Sequence, residues 1–148
     1  MPSEIILLQA TRQHRPFIET LLAAEKLPVE DLPERLANFS IAQDQSGIVG
    51  VIGLELYPPY GLLRSLAVSS SHRNHGIGNI LIQAVEQQAA DLGLTAIYLL
   101  TETAVSYFEK RGYKIVERDD TPSGIRGSSE FSHVCPVSAI VMKKTLSK

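Results

Sequence analysis

The sequence has 148 residues, 44% of them hydrophobic and 20% charged, and this composition predicts one ordinary globular domain over residues 1–148. The formal net charge of −2 offers no general basic surface, so the chain is expected to bind neither nucleic acid nor a membrane. The single cysteine, Cys135, excludes an intrachain disulfide and a cysteine-based zinc site, and no metal site is predicted.

The first half of the chain predicts a strand, two helices and three further strands. "EIILLQA" predicts the first strand, near residues 5–9; it is too short to span a membrane and lacks the basic segment of a signal peptide, so we expect a cytoplasmic protein. A helix follows Thr11 and ends at Leu27-Pro28, and a short second helix has Asp31 at its cap and Pro33 in its first turn. "SIAQD" and "GIVGVIGLELY" predict a hairpin, and "LLRSLAVS" predicts the next strand.

The second half predicts a helix, a strand, a second helix and two last strands. The first of these helices covers residues 78–92 and ends at Gly93, and "AVSYFEKRG" predicts a short helix that ends at Gly112. "TAIYLLT" predicts a buried strand between them. "YKIVERD" and "SAIVMKKTL" predict the last strands, separated by a polar insert with one helical turn near residues 129–133. This order predicts an α/β domain with a mixed sheet.

The turn before the long helix, "HRNHGIGNIL", contains the residue types that bind an anion. Arg73 supplies a positive charge, and Gly76 and Gly78 allow an anion to approach the unpaired amides of a helix start. The stretch lacks the lysine of a P-loop, and it lacks the third glycine and the later acidic residue of a dinucleotide-binding fingerprint. Two interpretations remain: a pyrophosphate site, and a strand-to-helix turn without a ligand.

This turn, its place after the fourth strand and the later "FEKRGY" together resemble the GNAT family of N-acetyltransferases, over nearly the whole chain. In that family the motif [QR]xxGx[GA] binds the pyrophosphate of acetyl-coenzyme A, and Arg73, Gly76 and Gly78 match it. The resemblance implies the GNAT fold, a mixed, mostly antiparallel central sheet of about six to seven strands flanked by about four helices. It also implies backbone contacts to the cofactor from residues of the turn and of the strand before it. These residues are Leu66, Ala67, Val68, Asn74, His75, Ile77 and Asn79.

The reaction implied by the resemblance is direct attack of an amine on the acetyl thioester in a ternary complex. A backbone N–H near Leu66 and Ala67 would stabilise the oxyanion. The family usually protonates the leaving thiolate with a tyrosine just before "EK", but Phe108 stands there and can only line the cofactor arm. Tyr107 lies one position earlier, about 100° around the helix. Either the thiolate leaves without a protein acid, or Tyr107 or a water is recruited; Tyr107 can also be a half-buried packing residue.

Glu55 is the best-placed candidate to take the proton that the amine must lose. It alternates with Leu54 and Leu56 and therefore faces the other side of its strand. The alternative is an exposed or ion-paired glutamate. Arg64 could bind a substrate carboxylate, or form an ion pair on the sheet face.

Further candidates for acceptor binding follow the fifth strand and lie in the late insert. Glu102 could contact the acceptor at the carboxyl end of its strand, or stabilise a helix start. The insert residues Arg126, Glu130 and His133 border the acceptor site if the resemblance holds, or belong to a surface loop. Cys135 is more simply a small buried residue than a nucleophile, because direct transfer needs none.

The chain from Gly112 onwards resembles a GNAT subfamily encoded beside arsenic-resistance genes, which also tends to have phenylalanine at the usual tyrosine position. That likeness implies a small amine as acceptor, and an amino-acid-like toxicant is one candidate. The predicted function is acetyl transfer from acetyl-coenzyme A to a primary amine of a small molecule, by a monomer or homodimer. The alternatives are acetylation of a protein lysine or N-terminus, a non-catalytic acyl-coenzyme A sensor, and a structural domain without a cofactor.

Overall fold

The computed structural model of the chain describes residues 5–27, 29, 32, 36–70, 76–128 and 139–146. This part of the chain forms seven strands: β1 (Ile6–Gln9), β2 (Phe39–Asp44), β3 (Gly47–Tyr57), β4 (Tyr60–Val68), β5 (Ala96–Thr101), β6 (Lys114–Val116) and β7 (Ile140–Thr145). Its α-helices are α1 (Arg15–Ala24), α2 (Ile77–Asp91), α3 (Val105–Glu109) and α4 (Ser123–Arg126). None of the helices in the described ranges has the length and apolar character that crossing a bilayer requires.

The strands form one mixed sheet in the order β1-β2-β3-β4-β5-β7-β6. β1 with β2, β2 with β3, β5 with β7 and β6 with β7 pair antiparallel, and β4 with β5 pairs parallel. The predicted α/β class and mostly antiparallel sheet are therefore confirmed. The predicted second helix, with Asp31 and Pro33, falls largely outside the described residues. In the late insert the helical turn lies at α4, and the turn predicted near residues 129–133 is outside the described residues.

The chain divides into two compact units, Met1–Leu54 with Ser65–Gln87 and Glu55–Arg64 with Gln88–Lys148. In the first unit, α1 buries the apolar side of its helix in a core that also contains residues of β2 and β3. This core includes Ile18, Leu22, Phe39, Ile41 and Val51. In the second unit the core lies on β4, β5, β7 and α4. It includes Leu62, Ala96, Tyr98, Ile125 and Val141.

Two glycines of β3 let other parts of the first unit lie close to the strand. A Cβ atom on Gly50 would lie 2.9 Å from Leu81 Cδ1 and 3.1 Å from Ile77 Cγ2, so the absent side chain admits α2. Gly53 pairs with Phe39 across the sheet, and the Phe39 ring covers the position that a Cβ atom on Gly53 would occupy. Substitution at either position therefore forces a neighbour to move.

Helices α1, α2 and α3 end in the same hydrogen-bonded motif, with one residue in the left-handed region. That residue is Lys26 (φ 60°) after α1, Gly93 (φ 79°) after α2 and Gly112 (φ 95°) after α3. At α3 the amide of Gly112 donates to Glu109 O and the amide of Tyr113 to Phe108 O, both at 3.1 Å. This is the Schellman arrangement, in which glycine is favoured because it has no Cβ atom. The predicted helix ends at Gly93 and Gly112 are thus confirmed.

Candidate functional site

The start of α2 presents backbone amides in the arrangement that the sequence predicts for an anion site. The first bond of the helix runs from Ile80 N–H to Gly76 O at 3.1 Å, so the amides of residues 77–79 have no acceptor within the helix. Gly76 has φ 75°, and among the described residues a Cβ atom there would meet nothing within 4 Å. Amides at the positive end of a helix, next to a glycine without a side chain, are the groups predicted to bind a pyrophosphate, and that binding stays a prediction. Arg73, Asn74 and His75, which complete the predicted motif, lie outside the described residues.

The strand before this turn, β4, has an irregular backbone at Ser65, whose φ is 58°. A non-glycine residue in the left-handed region is strained, and in a strand it turns the following amides away from the regular ladder. Leu66 and Val68 are half-buried, and Ala67 is buried in the core of the first unit. The Ala67 methyl group belongs to the core, and the predicted contacts of the strand backbone with the cofactor stay a prediction.

Helix α3 contains the aromatic pair Tyr107 and Phe108. The buried Phe108 ring packs edge-on against Tyr113 at 5.5 Å and against Tyr107 at 5.3 Å, measured between ring centroids. Arg111 lies with its Cζ atom 3.6 Å from the Tyr107 ring centroid, and its Nη1 donates to Tyr107 O at 2.8 Å. The "FEKRGY" motif therefore has a local structural reason, because Phe108 and Tyr113 are the residues whose backbones close the helix end.

A polar cluster on one face of the hairpin Glu55–Arg64 contains two of the predicted site residues. Arg64 Nη1 donates to Glu55 Oε2 at 2.6 Å, and the Tyr57 hydroxyl donates to Glu55 Oε1 at 2.6 Å. The side chain of Arg64 is only 1% exposed, whereas that of Glu55 is 19% exposed. Of the two roles predicted for Arg64, the structure shows the ion pair; contact with a substrate stays a prediction.

Tyr57 and Ser128 are part of this cluster although the sequence did not indicate them. Burial raises the pKa of Tyr57 well above its ordinary value, as do the hydrogen bond to Glu55 and the charge of that carboxylate. A hydrogen bond from the buried Ser128 and the charge of Arg64 oppose this shift. Tyr57 follows Glu55 by two residues on one strand, so the two-residue period could have placed both on one face. Nothing in the sequence places Ser128 there.

Two of the remaining predicted acceptor residues, Glu102 and Arg126, lie in different parts of the second unit. Glu102 is exposed just after β5, where Thr101 Oγ1 accepts a bond from Ala104 N–H at 3.0 Å. Arg126 is exposed at the end of α4. Glu130 and His133 lie outside the described residues, as does Cys135. Within the described ranges, no three histidine, cysteine or acidic side chains are grouped so that they could hold a metal ion.

This mixed sheet, with a helix after β4, matches the fold of solved GNAT acetyltransferase structures; one from Staphylococcus aureus has a TM-score of 0.78 at 22% identity, covering 97% of this chain and 100% of that one. The chain belongs to the acetyltransferase (GNAT) family, whose match covers residues 7–113. The family and enzyme class predicted from the sequence are confirmed. Acetyl-coenzyme A, the predicted cofactor, is the co-substrate of this family.

Individual relatives support the same class. The chain is 31% identical to an uncharacterized N-acetyltransferase, YjcF, of Bacillus subtilis, over 72% of this chain and 80% of that protein. It is 28% identical to the amino-acid acetyltransferase of Mannheimia succiniciproducens over 63% of this chain, and the match spans only 22% of that longer protein. The chain also shares its fold with N-acetylglutamate synthase of Neisseria gonorrhoeae, whose structure was solved with coenzyme A and N-acetyl-glutamate. The TM-score is 0.85 at 19% identity, and the match covers 100% of this chain and 36% of that one.

Proposed function

We propose that the chain transfers the acetyl group of acetyl-coenzyme A to the primary amine of a small molecule of the amino-acid class. The amino-acid acetyltransferases among its relatives support this acceptor class. The observation that carries the proposal is the Glu55 carboxylate, the accessible end of an ion pair whose other end, Arg64, is buried. A carboxylate held in this way favours an ammonium group, which is the form of most amines at neutral pH.

The first unit supplies the groups proposed to bind the cofactor, whose thioester provides the acetyl group. Amides 77–79 bind the pyrophosphate, and Gly76 leaves its approach open. The backbone of residues 66–68 pairs with the pantetheine arm as an added strand would, and its first N–H groups stabilise the developing oxyanion. Residues 73–75 complete the predicted binding set.

The second unit supplies the groups proposed to move protons. Glu55 accepts a proton from the bound ammonium group, which frees the nitrogen lone pair to bond to the acetyl carbon. Tyr107 donates a proton to the sulfur as the carbon–sulfur bond breaks. In support, the Tyr107 hydroxyl makes no hydrogen bond within the described residues, and its ring is held by Arg111. Phe108 lines the cofactor arm, and Arg64, Glu102, Arg126, Glu130 and His133 remain the predicted acceptor contacts.

Release of coenzyme A, followed with a thiol reagent over a panel of amino acids, simple amines and lysine peptides, tests the proposal. We expect turnover with small amino acids and little with peptides. Glu55→Gln should lower kcat at least about 100-fold, the effect of losing a general base, while acetyl-coenzyme A affinity by calorimetry stays unchanged. Glu117→Gln is the matched control, because Glu117 is exposed and lies outside the cluster.

Each rival function predicts a different result from the same measurements. Peptide turnover that exceeds amino-acid turnover identifies a protein acetyltransferase. Binding of acetyl-coenzyme A without release of its thiol identifies an acyl-coenzyme A sensor. Failure to bind at millimolar cofactor contradicts the proposal entirely.

A further inference from the structure

A chain of hydrogen bonds ends on the carboxylate of Glu55. Ser128 hydrogen-bonds to the Tyr57 oxygen, and Tyr57 donates its own proton to Glu55 Oε1 at 2.6 Å. An ionised carboxylate can only accept, so Tyr57 must donate to it, and the phenol oxygen is left to accept from Ser128. The chemistry of the carboxylate therefore sets the direction of both bonds.

Packing holds the Tyr57 ring in place independently of these bonds. The ring lies against the core of the second unit, and its Cδ1 atom is 3.6 Å from the position of a Cβ atom on Gly124. Because burial and Glu55 both raise the pKa of Tyr57, the phenol keeps its proton throughout the physiological range. Tyr57 is therefore a constant donor to Glu55.

Both oxygens of Glu55 are thus tied, one to Tyr57 and the other to Arg64 Nη1. A carboxylate has about four lone-pair sites, so two bonds leave others that can accept a proton. The two bonds also stop the carboxylate from rotating, which a partly exposed glutamate would otherwise do. The lone pairs that remain point in fixed directions.

We propose that Tyr57 is a positioning residue for acetyl transfer, which holds the Glu55 carboxylate in the orientation that accepts the proton of the amine, and that Ser128 in turn holds Tyr57. This inference rests on the proposed function, in which Glu55 is the proton acceptor. Tyr57 does not touch the substrate; it acts only through Glu55.

The test is a double-mutant cycle on kcat, with Tyr57→Phe and Glu55→Gln made singly and together. Tyr57→Phe removes only a hydroxyl, and we expect kcat to fall about tenfold, the usual effect of losing a hydrogen bond to a charged group, with an unchanged KM for acetyl-coenzyme A. In the Glu55→Gln background the same substitution should have no further effect. Tyr60→Phe is the control: Tyr60 packs against the same core and its hydroxyl makes no hydrogen bond within the described residues.

Several outcomes overturn the inference. If Tyr57→Phe lowers kcat by the same factor with and without Glu55, its effect is structural. If the wild type turns over and Tyr57→Phe matches it, the inference fails while the proposed function stands. If the wild type turns over no amine, both fail. Should Tyr57→Phe melt before the assay temperature, Ser128→Ala replaces it, with a smaller expected loss of kcat that must also vanish in the Glu55→Gln background.

Discussion

Gly53→Ala tests whether the absence of a side chain on β3 is required by the packing of the first unit. Gly53 pairs with Phe39 on β2, and the Phe39 ring is only 1% exposed. A Cβ atom on Gly53 would lie 2.5 Å, 2.6 Å and 2.9 Å from Cε2, Cζ and Cδ2 of that ring. The three ring atoms move as one rigid body, and Phe39 belongs to the buried core of the first unit, where close packing resists displacement of a ring.

The size of the effect follows from two opposing contributions. Forcing a methyl group into a filled core costs about 1–3 kcal/mol. Replacing glycine by alanine also restricts the unfolded chain, which offsets about 0.4–1 kcal/mol. From the middle of both ranges the net loss is about 1–2 kcal/mol, and at about 2–4 °C per kcal/mol for a chain of this size, Tm should fall by about 2–8 °C.

Thermal unfolding followed by circular dichroism, with urea unfolding as a second measurement, provides the assay. Gly124→Ala is the matched control, because a Cβ atom there would meet Tyr57 only at ordinary contact distances of 3.6 Å and 3.8 Å. Its Tm should be equal to or above that of the wild type. Phe39→Leu added to Gly53→Ala should cost less than the sum of the two single changes, since the smaller side chain relieves the collision. A Gly53→Ala chain as stable as the wild type would refute the reasoning.

Three further predictions concern left-handed residues and a half-buried phenol. Lys26 and Gly93 both occupy the left-handed position of the same helix-ending motif. Lys26→Gly should therefore raise the free energy of unfolding by about 1 kcal/mol, and Gly93→Ala should lower it by a similar amount. If urea unfolding shows both substitutions changing the free energy of unfolding in the same direction, the prediction is wrong. Gly76→Ala, at φ 75°, should weaken acetyl-coenzyme A binding several-fold in calorimetry, and unchanged affinity would remove Gly76 from the cofactor site. The pKa of Tyr57 is raised above its ordinary value of 10.0, so its contribution to stability is complete below pH 10.0 and is lost as pH rises further. Wild-type chain should therefore lose stability more steeply above that pH than Tyr57→Phe, and parallel curves would contradict the shift.

The parts of the fold that depend on neighbours in sequence could be predicted from the sequence. The hairpin between β2 and β3 and the helix ends at Gly93 and Gly112 follow from turn chemistry within a few residues. The apolar runs predicted the strands in the right order, because the pattern of apolar residues that marks a strand is complete within a few consecutive residues. The family resemblance rested on two such local motifs, and the match over residues 7–113 confirms it.

The candidate site could be predicted only in part, because its contacts join distant residues. Glu55 and Arg64 were separate candidates, and only the hairpin brings Arg64 Nη1 within 2.6 Å of the carboxylate. The two-residue period of the strand could have placed Tyr57 beside Glu55, whereas Ser128 carried no signal of a role. Ser128 lies 71 positions (128 − 57) after Tyr57, and no local pattern relates residues so far apart.

The sequence by itself determined the order of the elements and the ends of two helices, since each depends on backbone preferences within a few residues. Only the tertiary structure decided that Arg64 is buried against Glu55 and that Tyr57 joins them as a donor. The physical reason is that hydrogen-bond partners, burial and raised pKa values depend on which side chains the folded sheet brings together.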